Sequence, residues 1–238
     1  MTRRPPVVLS LGGSVLAPDG IDRAYLRRFV AFVRTLARTR RIVIVVGGGQ
    51  TSRRAIDAVR ASGKVSHADL DWIGIAGTRL NAEVVRASLG TLAHPQVLAD
   101  PDTPFRLSAS SSRSRGRTPQ VLVAAGWKPG FSTDADAVLW AVRFGARLVA
   151  NLSNVAYVYD GDPRRTRRAT PFSELTWTVY RRMFGTAWGP GAHAPFDPIA
   201  SRMAAQHRLE VVVLHGRDLV NLRRCLNGER FVGTRLHS

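Results

Sequence analysis

Residues 7–18, VVLSLGGSVLAP, carry an apolar run directly into a Gly-Gly-Ser turn. A short continuous apolar run that ends in glycine is typical of a buried strand in a parallel sheet, where helices cover both faces. Glycine lets the backbone approach a ligand closely, and a turn that opens a helix offers unpaired N–H groups to an anion. The stretch therefore predicts either a phosphate-binding turn or a strand end with purely structural glycines.

Further apolar runs follow along the chain, separated by longer segments with helical periodicity. The predicted strands cover residues 7–11, 42–46, 121–125, 147–152 and 211–214. The predicted helices cover residues 21–39, 51–62, 68–89, 133–144 and 198–207. Strands that alternate with helices predict an α/β fold with a mostly parallel central sheet.

The composition is ordinary for a soluble globular protein: 45% of the 238 residues are hydrophobic and 22% are charged. No apolar run approaches the roughly 20 residues of a membrane span, and the first residues lack a signal-peptide pattern. Cys225 is the only cysteine, so an internal disulfide is excluded and a reducing interior is favoured. We therefore expect a cytoplasmic protein with no membrane partner.

The formal net charge of +18 favours an anionic partner. Lysine occurs only at Lys64 and Lys128, and arginine supplies the other 33 of the 35 basic residues. Such a skew fits a solvated arginine-rich exterior as well as a nucleic-acid surface. Residues 101–119, PDTPFRLSASSSRSRGRTP, predict a flexible surface insert, with an RNA-binding arm as the sharper alternative. Nucleic-acid binding is left open but is not favoured.

Three glycine-bearing turns each follow a predicted strand. They are Gly12-Gly13-Ser14, Gly47-Gly48-Gly49 and the GWKPG segment from Gly126 to Gly130. In a parallel α/β sheet all three lie beyond the carboxyl ends of the strands, where ligands bind. None fits the P-loop or the dinucleotide pattern, so a phosphate site here belongs to another design. The histidines His94, His193 and His207 lack metal-ligand spacing, and no protein-bound metal is predicted.

Six sequence blocks occur in the order expected of the amino acid kinase family, and the chain resembles that family over nearly its whole length. The blocks are VVLSLGGSVLAP, VIVVGGGQTSRR, LDWIGIAGTRLNAE, GWKPGFSTDADAV, NLSNVAYVYDGDP and FDPIASRMA. More narrowly, the chain is similar to the archaeal type of uridylate kinase, for which the block DWIGIAGTRLNA is the most telling. The resemblance implies one open αβα sandwich over residues 1–238, with acceptor binding in about 1–145 and ATP binding in about 146–238.

The resemblance implies a kinase that transfers the γ-phosphoryl group of Mg-ATP to UMP, with ATP and Mg²⁺ as cofactors and a homohexamer (a trimer of dimers) as assembly. The implied acceptor site is Gly48, Asp71 and the loop Gly126, Trp127, Lys128, Pro129, Gly130, Phe131 and Ser132. The implied ATP site is Gly13, Ser14, Gly49, Arg53, Ser153, Asn154, Tyr159 and Asp162. The implied catalytic residues are Arg202, Asp134 and Ser14.

These assignments have structural alternatives: Asp71 as a solvated helix residue, Tyr159 as core and Ser14 as a turn cap. The chain also departs from the family pattern where phosphoryl transfer needs positive charge. In similar kinases a lysine often stands at the positions of Ser10 and Arg202, and Asp-Gly at the position of Ala156-Tyr157. A catalytically degraded nucleotide-binding homologue, or an enzyme with another small acceptor, therefore stays open beside UMP kinase.

Overall fold

The computed structural model describes residues 4–104, 119–161, 168–185 and 194–238. The strands in these segments are β1 Val7–Leu11, β2 Ile42–Val46, β3 Val121–Ala124, β4 Leu148–Ser153, β5 Val158–Tyr159, β6 Pro171–Phe172, β7 Glu174–Thr176, β8 Glu210–His215 and β9 Thr234–His237. The α-helices are α1 Gly13–Leu16, α2 Arg23–Leu36, α3 Gly49–Ala61, α4 His67–Leu89, α5 Thr133–Phe144, α6 Trp177–Phe184, α7 Pro198–Gln206 and α8 Leu219–Leu226. Every predicted strand and helix is present, with ends that differ by at most three residues.

Seven strands form one sheet in the order β3-β2-β1-β4-β8-β9-β7, and β5 pairs with β6 in a separate hairpin. The five strands from β3 to β8 are mutually parallel, whereas β9 runs antiparallel to β8. The chain moves outward from β1 through β2 to β3, and then returns to place β4 on the other side of β1. A crevice therefore opens beyond the carboxyl ends of β1 and β4, as at other topological switch points.

The core lies on both faces of this sheet, which confirms the predicted αβα sandwich. Leu9 and Leu11 of β1 pack with Phe29 of α2 and Val85 of α4 on one face. Val8 packs on the other face, in a cluster that includes residues of α5, α6 and α7. Burial on both faces explains why the strands are continuously apolar rather than alternating.

Side-chain caps explain where several helices begin. Asp22 accepts a hydrogen bond from the Tyr25 N–H (2.9 Å), so α2 starts at residue 23 rather than at residue 21. Ser132 accepts one from the Ala135 N–H (3.2 Å) at the start of α5, as its sequence position indicates. Helix α3 begins at Gly49, two residues earlier than predicted, because the last glycine of the second glycine turn is already the first residue of the helix.

The strands β9 and β7, which complete the sheet beyond β8, escape sequence analysis because they are short and consist mostly of charged or polar residues. Residues 105–118 of the expected insert lie outside the described segments. In the described part of the chain, no helix combines the length and the hydropathy that crossing a membrane requires.

Candidate active site

The first two glycine turns pack backbone against backbone. A Cβ atom on Gly13 would lie 2.0 Å from the Gly49 nitrogen, and one on Gly49 would lie 2.2 Å from the Gly13 carbonyl oxygen. Gly49 also has a φ of 58°, a conformation that favours glycine. The Gly12 N–H donates to the Leu152 carbonyl oxygen (3.0 Å), which joins the first turn to the end of β4. Close backbone packing therefore requires glycine at these positions, and the two turns together form the floor of the crevice.

Helix α4 holds the second glycine turn through a buried asparagine that sequence analysis did not single out. The Asn81 amide donates to the carbonyl oxygens of Gly47 and Gly48, both at 2.9 Å. Its Oδ1 accepts from the Thr51 hydroxyl (3.1 Å), and the residue is 1% exposed. Ser52 adds a hydrogen bond from its hydroxyl to the Gly74 carbonyl oxygen (2.8 Å). The second glycine turn is therefore held both by α4 and by its position at the end of strand β2.

Three side chains hold the loop that follows β3, residues 126–132, through its backbone N–H groups. Gly126 donates to the Thr78 hydroxyl (2.9 Å), and Gly130 donates to the Asp71 carboxylate (2.9 Å). Trp127 donates to the Asp136 carboxylate at 3.2 Å. Asp71 is an exposed residue, but it is tied to this loop and is not merely a solvated helix position.

The spacing of Asp71, Thr78 and Asn81 explains why one helix can hold two separate turns. Offsets of seven and ten residues return to one side of an α-helix, close to two and three full turns. All three residues occur within the block DWIGIAGTRLNA, so their spacing from Asp71 was a signal for Thr78 and Asn81, which sequence analysis did not single out.

The same loop presents a cation beside aromatic rings. The Lys128 ammonium lies 3.7 Å from the centroid of the Trp127 ring and 5.2 Å from that of Phe131. The two rings are 5.2 Å apart at an interplanar angle of 60°. Lys128 itself is exposed, so the loop carries an accessible positive charge beside two aromatic rings.

Asp134, at the start of α5, is the centre of a polar network under the crevice. Its Oδ1 accepts from the Ser10 hydroxyl (3.1 Å), and its Oδ2 accepts from the Asp197 backbone N–H (3.2 Å). Asn151 of β4 donates to the same carboxylate at 3.5 Å and to the Pro195 carbonyl oxygen at 3.2 Å. Burial and, to a smaller extent, the neighbouring carboxylate of Asp197 raise the pKa of Asp134 to about 7, against the lowering effect of the Asp197 N–H.

Two further carboxylates accompany Asp134. Asp136 is fully buried, and burial raises its pKa to about 7, against the lowering effect of the Trp127 N–H. Asp197 is 4% exposed and caps α7 by accepting from the Ala200 N–H (2.7 Å). Among the described residues, no lysine or arginine forms an ion pair with any of the three. The centre of the site is therefore acidic, and a neutral hydroxyl at Ser10 faces it instead of an ammonium group.

Residues 5–215 match the family model described as the amino acid kinase family. The match covers far more than half of the 238 residues. The chain belongs to the amino acid kinase family.

Individual relatives align along almost all of the chain. The uridylate kinase of Methanospirillum hungatei is 34% identical over 231 residues, covering 97% of this chain and 94% of that protein. The uridylate kinase of Methanothrix thermoacetophila is 35% identical over 225 residues, covering 93% and 95%. The crystal structure of uridylate kinase from Archaeoglobus fulgidus has a TM-score of 0.80 at 30% identity, covering 97% of this chain and 99% of that one. The UMP kinase structure from Ureaplasma parvum, at 18% identity and a TM-score of 0.78, is alike in fold.

On the β4 side of the crevice, the expected site residues come from the end of that strand and from β5. Ser153 accepts from the Val155 N–H (3.4 Å), and Asn154 is exposed. Tyr159 is partly exposed and meets Tyr157 edge to face, with ring centroids 6.1 Å apart. Asp162 lies outside the described residues.

The remaining expected site residues of the chain are accessible to a ligand. Arg53 on α3 is exposed and donates to the Gln50 side chain (2.8 Å). Arg202 on α7 is exposed, and no described carboxylate pairs with it. Ser14 is a partly exposed residue of α1. The described segments contain no group of three or more histidine, cysteine, aspartate or glutamate side chains that could hold a metal ion.

Proposed function

We propose that this protein transfers the γ-phosphoryl group of Mg-ATP to UMP and so forms UDP. The observation that carries the proposal is the pair of packed glycine turns at the switch point, set beside a separately held loop at the end of β3. Near full-length similarity to uridylate kinases from archaea supports the same activity.

The two substrates divide the crevice in this proposal. UMP is bound by Gly48, Asp71 and residues 126–132, and Asp71 accepts hydrogen bonds from the ribose. Mg-ATP is bound by Gly13, Ser14, Gly49, Arg53, Ser153, Asn154, Tyr159 and Asp162. Acceptor binding is thus assigned to about residues 1–145 and ATP binding to about residues 146–238, except that Gly13, Ser14, Gly49 and Arg53 of the first part contact the phosphates of ATP.

Phosphoryl transfer needs little covalent chemistry from the protein, because positioning and charge stabilisation supply most of the catalysis. Mg²⁺ enters with ATP as part of the substrate and neutralises charge on the phosphate oxygens. The exposed guanidinium of Arg202 and the backbone N–H groups of Gly13 and Ser14 stabilise the transferring group. Asp134 positions the start of α7 through the Asp197 N–H, and so orients the helix that carries Arg202.

A specific observation favours a second candidate, a nucleotide-binding homologue with degraded catalysis. Ser10 presents a hydroxyl to Asp134 where similar kinases often present a lysine, and Asp134 has a pKa of about 7. Arg202, which is longer and forked, is then the main positive charge for the transition state. An enzyme with a different small acceptor is the third candidate.

The test is ADP formation by purified protein with Mg-ATP and UMP, CMP, dTMP, AMP or no acceptor. Calorimetry with ATP and with UMP is run on the same sample. Turnover confined to UMP is the expected result. Absence of turnover in protein that binds both nucleotides would establish the degraded homologue, and turnover with another acceptor would replace UMP. We also propose a cytoplasmic homohexamer arranged as a trimer of dimers, which light scattering tests directly.

A further inference from the structure

The solvent side of α2 is occupied by arginine and small residues alone. The exposed positions of the helix are four arginines (Arg23, Arg27, Arg28 and Arg34) together with Ala24, Ala31 and Thr35. The aromatic residues of the helix, Tyr25, Phe29 and Phe32, are buried against the sheet. Short side chains between the arginines leave room for a large anionic partner to approach the helix closely.

The arginines are concentrated here beyond the general arginine skew of the chain. Residues 23–41 contain seven arginines and no acidic residue. Elsewhere in the described segments some arginines have acidic partners (Arg54 with Asp19, Arg60 with Asp57 and Arg86 with Glu83), whereas others, such as Arg202, have none. Within those same segments, no carboxylate pairs with any of the four exposed arginines of α2.

Neighbouring helices extend this charged surface. The Arg223 guanidinium of α8 lies 5.9 Å from the Phe32 ring centroid, so α8 adds an exposed arginine next to α2. On the side of α4, a groove of about 440 Å³ is lined by Arg23, Arg27 and Arg34 around Leu26 and Val30. We call the four exposed arginines of α2 and Arg223 the α2 surface. It contains none of the residues assigned to the proposed nucleotide site.

We propose that the α2 surface binds double-stranded DNA through the phosphate backbone, without sequence preference. At 1.5 Å per residue, the 14 residues of α2 span about 21 Å, or about six base pairs. An exposed helix face fits the wide major groove of B-form DNA, whereas the major groove of A-form RNA is too narrow. The surface has no exposed aromatic ring on which the bases of a single strand could stack. The apolar face of α2 is buried in the core, so the helix cannot insert into a membrane.

The test is fluorescence anisotropy with a labelled mixed-sequence DNA duplex of about 20 base pairs, between about 50 and 200 mM NaCl. The double variant Arg27→Gln with Arg34→Gln removes two charges from the α2 surface. The control, Arg147→Gln with Arg182→Gln, removes two exposed arginines elsewhere. We expect the slope of log affinity against log salt to fall by about 2 in the first variant and to stay unchanged in the control.

Three results would overturn the proposal. The first is an equal loss of affinity in the two double variants, which would mean that binding depends on diffuse charge. The second is an absence of duplex binding at about 50 mM NaCl. The third is tighter binding of single-stranded RNA, duplex RNA or anionic vesicles than of the DNA duplex. Circular dichroism confirms that the variants are folded. ADP formation with UMP is measured in parallel, because DNA binding and the proposed kinase activity stand or fall separately.

Discussion

Replacing Asp136 with asparagine should stabilise the protein increasingly as the pH rises from 5 to 8. The side chain is fully buried, and one of its oxygens accepts from the Trp127 N–H at 3.2 Å. The other oxygen has no hydrogen-bond partner among the described residues. Asparagine keeps an acceptor for Trp127 and cannot ionise, so the variant removes the buried charge without removing the loop contact.

The expected magnitude follows from the pKa of this carboxyl, which burial raises from 3.8 to about 7. Between these values the folded protein binds a proton that the unfolded chain has already released, so a rise in pH favours unfolding. From pH 5 to pH 7 the difference grows by about 1.4 kcal/mol per pH unit, which gives about 3 kcal/mol as an upper limit. Above the folded-state pKa the carboxyl is ionised in both states, and the difference levels off.

The measurement is urea denaturation of Asp136→Asn and of the parent protein at pH 5, 6, 7 and 8. Asp57→Asn is the matched control, because this α3 side chain is 72% exposed and the same substitution there removes only an exposed charge and its 3.8 Å ion pair with Arg60. We expect the stability advantage of Asp136→Asn to grow by about 2 to 3 kcal/mol across the series. A constant difference between variant and parent at all four values would refute the raised pKa and the reasoning from burial.

Three further substitutions test the site. Asn81→Ala removes three hydrogen bonds to α3 and the second glycine turn, so it should lower the free energy of unfolding, measured by urea denaturation, by about 3 kcal/mol. A loss below about 1 kcal/mol would show that Asn81 does not stabilise the turn. Asp71→Asn keeps a hydrogen-bond acceptor for the Gly130 N–H but loses the charge, so initial rates should show a KM for UMP raised about tenfold and an unchanged KM for ATP. Equal changes in the two KM values would argue against a role of Asp71 in binding UMP. Arg202→Met should lower kcat about 100-fold, and Arg202→Lys should have a kcat between those of the parent protein and the methionine variant. Full kcat in Arg202→Met would show that Arg202 has no part in catalysis.

The strands of the parallel sheet could be predicted because each is a continuous apolar run that the buried centre of an α/β fold requires. The helix starts at Ser132 and Asp22 also follow from local chemistry, since a capping side chain bonds to a backbone N–H three residues away. The short strands β7 and β9 could not be found in this way. Their pairing depends on a partner far along the chain, and their sequences carry no apolar run.

The site divides in the same manner. The glycine turns and the residues of the loop after β3 were expected from the sequence and its resemblance to a family. The network of Ser10, Asn151 and Asp197 around Asp134 was not expected, because its members come from four separate elements or loops. The raised pKa values of Asp134 and Asp136 were not expected either, because they arise from burial that no local pattern records.

By itself the sequence determined the layers of the fold, the order of the glycine turns and the family, because these depend on local periodicity and on ordered motifs. Only the tertiary structure decided that one helix holds two turns, through Asn81 on Gly47 and Thr78 on Gly126. It also decided that the arginines of α2 share one unpaired surface rather than meeting carboxylates. Both results depend on contacts between residues distant along the chain, and the register and packing of the elements set such contacts.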